Sequence, residues 1–362
     1  MALATIPGYP RIGKHRELKK ALEAFWSGKI GEEELQQTAA EVRRAGWETQ
    51  AMAGIDLIPV NDFSFYDQVL DIAALVGAVP ERYGWGDAGV DLDTYFAMAR
   101  GRTGEHDVRA MEMTKWFDTN YHYIVPELHP DMTFTRSTDK PVAEFNEARG
   151  AGCNAKPVLV GPLTFVLLGK THNEDVDPLA LLDRLVPVYA EVIAELAAVG
   201  AEWIQIDEPV LVQDRSAEEL AALTSAYEKL AAAKGSAKLI VQTYFDHVGE
   251  AYDTLVNLPV DAIGLDFVRG PENLDFIAEK GFPADKWLVA GVVDGRNVWV
   301  ADLNKALGTL KRLTEYVDTE RMMVSTSCSL LHVPYDVGEE RELDAEVTSW
   351  LAFAEQKLHE VV

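Results

Sequence analysis

Eight short apolar runs, each about as long as a β-strand and separated by helical stretches, constrain the fold of this chain more than any other feature. The runs span residues 4–8, 55–60, 157–160, 203–206, 239–243, 262–265, 287–293 and 322–325. Helical periodicity is clearest over residues 16–26, 34–53, 178–199, 217–233, 298–315 and 342–361. Apolar strands that alternate with helices are typical of parallel sheets covered on both faces. Eight such units predict an α/β fold, a TIM-type (β/α)8 barrel.

The spacing of the strands is uneven, because residues 62–156 separate the second predicted strand from the third. This length predicts a long excursion with helices of its own. A doubly wound open sheet is the alternative fold. It is disfavoured because no GxGxxG motif follows the first strand, where Gly8 to Gly13 resembles one only superficially. We therefore expect residues 1–362 to form one barrel domain.

A basic segment stands out against an acidic chain. The 33 Lys and Arg residues against 59 Asp and Glu give a net charge of −26, which disfavours nucleic acid and membranes as partners. Residues 11–20 nevertheless contain five Lys or Arg and one Glu, a local charge of +4 at the start of a predicted helix. Because a helix N-terminus is itself positive, an anionic ligand would offset this repulsion. A solvated helix start without a ligand is the alternative.

Neither a membrane helix nor a secretory signal is evident. No apolar run approaches the roughly 18 residues that a spanning helix needs, and the N-terminus lacks the order of a signal peptide. The two cysteines, Cys153 and Cys328, lie too far apart to form a CxxC motif. We expect a cytoplasmic protein.

The excursion contains an aromatic segment at residues 112–123 that includes Lys115, Trp116 and Asn120. Such a segment could stack a flat heterocycle while its polar groups orient the ligand. A loop core held together by aromatic packing is the alternative.

Several acids follow predicted strands, where ligands bind in barrels. Asp207 and Glu208 follow the fourth strand, and Asp266 and Asp294 follow the sixth and seventh. They could form a glycosidase pair, or they could cap helices and accept backbone hydrogen bonds.

A cysteine and a histidine follow the eighth strand. Cys328 and His332 could act as nucleophile and base, or could bind zinc together with His247 or Glu208.

Six segments together give the chain a family resemblance. They read GYPRIGKHRELKKALEAFW, GIDLIPVNDFSFYDQVLD, DTYFAMARG, AMEMTKWFDTNYHYIVPEL, PVLVGPLTF and QIDEPVL. The chain resembles, over nearly its whole length, the N-terminal half of cobalamin-independent methionine synthases.

The resemblance implies a molecule of two facing (β/α)8 barrels that transfers the N5-methyl group of 5-methyltetrahydropteroyltri-L-glutamate to homocysteine, forming methionine. It implies that the N-terminal barrel contacts the triglutamate tail and braces the catalytic barrel, its partner in cis or as a separate chain. The residues implied in tail binding are Arg16, Glu17, Leu18, Lys19, Lys115 and Asn120. Asp207, Glu208 and Trp116 are further pocket candidates.

The zinc ligands that the family uses do not match this chain. In the family a His-x-Cys pair follows the fifth strand of the catalytic half, whereas Gln242-Thr243-Tyr244-Phe245 stands here. Cys328 resembles the family's second zinc cysteine, and Asp207 resembles an acid that holds homocysteine. The resemblance implies no catalytic residue and no cofactor in this half, with zinc in a C-terminal barrel that lies outside this sequence. A self-sufficient zinc methyltransferase using Cys328 and a non-catalytic scaffold barrel remain the alternatives.

Overall fold

The computed structural model describes residues 2–86, 89–102, 107–171 and 176–362. The strands are β1 (Leu3–Ala4), β2 (Ile58–Val60), β3 (Met113–Lys115), β4 (His122–Ile124), β5 (Glu127–Leu128), β6 (Ala155–Val160), β7 (Lys170–Thr171), β8 (Trp203–Asp207), β9 (Lys238–Gln242), β10 (Ala262–Asp266), β11 (Trp287–Val293) and β12 (Met322–Thr326). The helices are α1 (Glu17–Trp26), α2 (Glu32–Ala53), α3 (Gln68–Leu75), α4 (Leu92–Arg100), α5 (Lys140–Gly150), α6 (Pro162–Leu168), α7 (Pro178–Ala198), α8 (Ala217–Ala233), α9 (Tyr252–Asn257), α10 (Glu272–Lys280), α11 (Leu303–Leu313), α12 (Ala345–Thr348) and α13 (Ala354–Val361).

Eight parallel strands form the barrel, in the order β1, β12, β11, β10, β9, β8, β6, β2. A parallel bridge between Thr5 and Leu57 joins the two ends of this sheet, and Thr5 Oγ1 donates to the Leu57 carbonyl at 2.9 Å. Each of these eight barrel strands overlaps one of the eight predicted runs, so the predicted (β/α)8 fold is confirmed. The first strand ends earlier than predicted because Pro7 has no N–H for a ladder hydrogen bond.

The barrel interior contains a buried polar network. Lys156 Nζ donates to Thr5 Oγ1 at 2.9 Å, to the Ile6 carbonyl at 3.1 Å and to Gln205 Oε1 at 2.6 Å. Three acceptors match the three donors of an ammonium group. Burial nevertheless lowers the pKa of Lys156 to about 7.

Two helix predictions were wrong. The region predicted as one helix over residues 298–315 is helical only over α11, and the region 342–361 divides into the short helices α12 and α13. The reason is a short antiparallel pairing: Val300 N donates to the Trp350 carbonyl at 2.9 Å, and Ala352 N donates to the Val298 carbonyl at 2.8 Å. These hydrogen bonds hold both segments extended, although their apolar residues fit a helical period.

The chain between β2 and β6 contains α3, α4, α5 and an antiparallel hairpin formed by β3 and β4. The tip of this hairpin contacts loops that follow barrel strands, through Asp118 with Arg296 and Phe117 with Phe245. The excursion therefore reaches the end of the barrel where ligands bind in this fold. Within the described ranges, no helix is both long enough and apolar enough to cross a membrane.

Candidate functional site

A cleft of about 340 Å³ lies between helix α1 and the β3–β4 hairpin. It combines cationic, amide and aromatic side chains. The lining residues are Arg11, Ile12, Lys19, Leu22, Glu23, Trp26, Phe65, Tyr66, Asn120, Tyr121 and His122. Both segments singled out in the sequence, 11–20 and 112–123, therefore meet at one site.

Helix α1 forms one wall because Leu18, Ala21 and Leu22 bury its apolar face in the core. Its N-terminus follows Arg16, whose φ of 62° is left-handed, and no side chain caps its first amides. Lys19 is 55% exposed and pairs loosely with Glu23 at 3.8 Å. The wall thus presents Lys19 in the first turn of α1, where the helix dipole favours an anion.

The other cations of the basic segment are only partly available. Lys14 Nζ lies 2.6 Å from Asp336 and 3.6 Å from Glu355. Arg11 donates to the Ser64 carbonyl at 2.8 Å, which holds the neighbouring loop in place. Neither Arg16 nor Lys20 pairs with a carboxylate among the described residues. The charge that a ligand meets is therefore smaller than the +4 counted from the sequence.

The hairpin forms the opposite wall and carries three of the candidates, Lys115, Trp116 and Asn120. Asn120 is exposed and lines the cleft. Lys115 is exposed on β3, where its register partner is His122, another lining residue. Trp116 is only 1% exposed, and its ring packs edge-on against those of Phe117 and Tyr123. Trp116 therefore belongs to the packed core of the hairpin, and its role in a pocket stays a prediction.

Two further candidates do not face the cleft. The Leu18 side chain is fully buried, and its N–H donates to the Ile12 carbonyl at 3.2 Å, so Leu18 positions α1. Glu17 accepts from the His15 N–H at 3.0 Å and lines a different groove beside Lys14. The cleft thus brings Lys19 and Asn120 together. Arg16 precedes α1 and Lys115 lies on β3, so both belong to the elements that form the two walls, but neither lines the cleft.

The two acids after β8 are engaged within the fold. Asp207 accepts from Gln205 Nε2 at 2.7 Å and from the Tyr244 hydroxyl at 3.1 Å, and burial raises its pKa to about 7. Glu208 accepts from the Leu163 N–H at 3.2 Å and the Thr164 N–H at 2.7 Å, the first-turn amides of α6. Burial likewise raises the pKa of Glu208 to about 7. Glu208 thus caps helix α6 and does not line the cleft, and its role in a pocket stays a prediction.

The two other acids of the glycosidase alternative, Asp266 and Asp294, also accept hydrogen bonds within the fold. Asp266 accepts from the N–H groups of Val268 and Arg269, both at 2.8 Å. Asp294 accepts from the Arg296 N–H at 2.7 Å. Both acids satisfy loop backbone after their strands, which is the role given above as the alternative.

The zinc alternative is not supported by the placement of its ligands. Cys328 is fully buried, which raises its pKa well above the usual range, and its Sγ donates to the Ser329 carbonyl. The His332 ring lies against Phe245, and burial lowers its pKa to about 4. His247 instead packs against Phe276. Over the described part of the chain, no cluster of three or more His, Cys, Asp or Glu could hold a metal. The residues present do not fit a zinc site.

Two lining residues were not predicted from the sequence as site residues. Trp26 and Tyr66 supply aromatic surface to the cleft beside Tyr121, which belongs to the predicted aromatic segment 112–123. The aromatic run Phe63-Ser64-Phe65-Tyr66 after the second strand was a usable signal, because loops after barrel strands form binding sites.

The barrel is shared with solved structures. A B12-independent methionine synthase from Shewanella sp. W3-18-1, solved in complex with selenomethionine, superposes with a TM-score of 0.63 at 18% identity, covering 92% of this chain and 88% of that chain. A methyltransferase from Methanosarcina mazei superposes with a TM-score of 0.57 at 11% identity, covering 99% and 91%. At such identities the likeness defines a class of fold, the barrel found in these enzymes.

Sequence similarity then identifies the family. The model of the cobalamin-independent synthase, N-terminal domain, matches residues 3–318, and the chain belongs to this family. The 5-methyltetrahydropteroyltriglutamate–homocysteine methyltransferase of Salinibacter ruber is 52% identical over all of this chain and 48% of its own length. The chloroplastic form 3 from Arabidopsis thaliana is 51% identical over 98% of this chain and 44% of its own length. The chain spans about half the length of these relatives, and the resemblance stated from the sequence motifs is confirmed.

Proposed function

We propose that this chain is the half of a 5-methyltetrahydropteroyltriglutamate–homocysteine methyltransferase that binds the glutamate tail of the folate. The observation that carries the proposal is the cleft, where Lys19 at the start of α1 faces Asn120 on the hairpin. A triglutamate tail is a flexible polyanion. Its carboxylates are complementary to Lys19 and to the exposed Arg16 and Lys115.

The acidity of the chain makes this contact selective. At a net charge of −26, most of the surface repels a polyanion, while a local cationic site attracts it. Glu23 opposes a bound anion within the cleft, but it holds Lys19 only at 3.8 Å on the exposed surface. Such a pair is weak, so Lys19 is free to turn towards a carboxylate.

The methyl transfer itself is proposed for the other half of the full-length protein. Zinc bound there would convert the homocysteine thiol to a thiolate, which is the nucleophilic form. This chain contributes no catalytic residue in the proposal. Its task is to hold the tail and to brace the second half.

An exposed apolar surface supports the bracing role. Trp299, Val300, Leu303, Leu307 and Trp350 are each about half exposed, and the backbone pairing of Val300 with Trp350 brings their segments together. Exposed large apolar side chains grouped on neighbouring segments commonly mark a contact with another protein surface. This surface also favours a second candidate function, a scaffold barrel that binds no folate and only supports its partner.

Calorimetric titration of the 362-residue chain with the mono- and triglutamate forms of 5-methyltetrahydrofolate separates the two functions. Tail binding predicts tighter binding of the triglutamate and a difference that shrinks as salt is added. Equal affinities, or no binding of either form, would remove the tail-binding role and leave the scaffold.

A further inference from the structure

The tip of the β3–β4 hairpin is tied to two neighbouring strand ends of the barrel. Asp118 at this tip accepts from Arg296 Nη1 at 2.7 Å through its carboxylate and from Arg296 Nη2 at 3.2 Å through its carbonyl. Arg269 Nη2 lies 3.5 Å from the same carboxylate. Arg296 follows β11 and Arg269 follows β10. The excursion is therefore fastened to the barrel at residues distant from it in sequence.

The same contact joins two strained segments. Phe117 has a φ of 51° and Phe245 a φ of 89°, and their rings lie 5.6 Å apart. Bulky residues rarely adopt positive φ, and they keep it only where surrounding contacts enforce it. Arg296 supplies such contacts to both segments, because it binds Asp118 next to Phe117 and lies 5.2 Å from the Phe245 ring centroid.

We propose that Arg296 is a positioning residue for the cleft: it fixes the hairpin tip, and thereby the placement of Lys115 and Asn120 opposite Lys19. This inference rests on the proposed tail-binding function. Asn120 is two residues from Asp118 along the chain, so a shift of the tip moves one wall of the cleft. Arg296 itself is not among the lining residues.

The contact between Arg296 and Asp118 is more buried and better oriented than an ordinary surface ion pair. Arg296 is only 17% exposed, and its two terminal nitrogens donate to two different atoms of one residue. One of these bonds goes to backbone, so it orients the chain as well as the carboxylate. A lysine at this position has a single nitrogen and cannot reproduce the planar fork.

Three variants of the full chain test this role: Arg296→Ala, Arg296→Lys and Asp118→Asn. Arg312→Ala is the matched control, because Arg312 also pairs with an aspartate, Asp275 at 3.7 Å, but lies on the outer helix α11. Affinity is measured for the mono- and triglutamate folates. Hydrogen exchange is measured at the Trp116 and Thr119 amides, which hydrogen bond within the hairpin.

We expect Arg296→Ala to weaken triglutamate binding by about three- to tenfold, to spare the monoglutamate, and to speed exchange at the hairpin tip. The triglutamate affinity of Arg296→Lys should lie between those of the wild type and Arg296→Ala. Adding Asp118→Asn to Arg296→Ala should cause little further loss of affinity. Unchanged exchange at the tip, or unchanged triglutamate affinity despite faster exchange, overturns the positioning role. The proposed tail-binding function is tested separately on the wild-type chain, where equal affinity for the mono- and triglutamate folates would contradict it.

Discussion

Replacing Glu208 by Ala tests whether this acid is a cap, as the structure places it, or a ligand group. Its side chain is fully buried and accepts from two amides of α6, at 3.2 and 2.7 Å, and from the Thr164 hydroxyl at 2.5 Å. Truncation leaves these buried donors without an acceptor. Each unsatisfied group costs about 1–3 kcal/mol, although neighbouring groups share part of the loss. Losing a helix cap alone costs about 1 kcal/mol.

We therefore expect Glu208→Ala to lower the free energy of unfolding by about 3–5 kcal/mol, since a cavity adds to the unmet hydrogen bonds. Urea unfolding followed by tryptophan fluorescence and circular dichroism measures the change. The control is Glu202→Ala, an acid before the same strand that is 62% exposed and lies 3.3 Å from Lys238. Removing such a surface pair should change stability by less than about 1 kcal/mol.

A destabilisation of Glu208→Ala no larger than that of the control would refute the capping argument. Loss of folate binding with stability intact would assign Glu208 to the ligand instead. Triglutamate affinity at a temperature where the variant stays folded should match that of the wild type, because Glu208 does not line the cleft.

Three further predictions concern the cleft, the barrel interior and the apolar surface. Lys19→Ala should weaken triglutamate binding by about 1–3 kcal/mol in titrations, whereas Lys20→Ala, outside the cleft lining, should have a clearly smaller effect; equal losses would contradict the placement. Burial raises the pKa of Asp207 from 3.8 to about 7, so the stability this group supports is present below its unfolded pKa and is lost as pH rises towards 7. Between pH 4 and 7.5 the free energy of unfolding should therefore fall less for Asp207→Asn than for the wild type, by on the order of 2 kcal/mol, and parallel curves of this free energy against pH would refute the prediction. Trp299→Ser should weaken association with a separately produced second half of the Salinibacter ruber relative, measured by sedimentation, whereas Met52→Ser, 80% exposed elsewhere on α2, should not; equal association of both variants would remove the apolar surface from the contact.

The barrel strands were predictable because their burial determines the residue types within each strand, independently of distant contacts. A strand buried on both faces must be apolar along its length, so runs such as Trp287–Val293 were visible in the sequence with their bounds intact. The start of α11 was not predictable, because the hydrogen bond that holds Val300 extended comes from Trp350, far along the chain. Helical periodicity carries no information about such a partner.

The site was predictable only in part, for the same reason. The excess of cations at residues 11–20 pointed to Lys19, but the sequence did not show that Asp336 engages Lys14 or that Arg11 holds a loop carbonyl. The pair of acids after β8 suggested chemistry, whereas the partners that make Glu208 a cap lie on α6, which follows the neighbouring strand β6. The fastening of the hairpin by Arg296 joins residues 178 positions apart and left no pattern in the sequence.

Binding of a γ-linked triglutamate peptide, without the pteridine ring, is the most direct test of the central claim that this chain holds the folate tail. The peptide removes every contact that the second half would make with the ring. Titration of the wild-type chain at low salt should show saturable binding that weakens as salt is added, and the Lys19→Glu, Lys115→Glu double variant should show none. Absence of binding to the wild type, or equal binding by the folded double variant, would contradict the account.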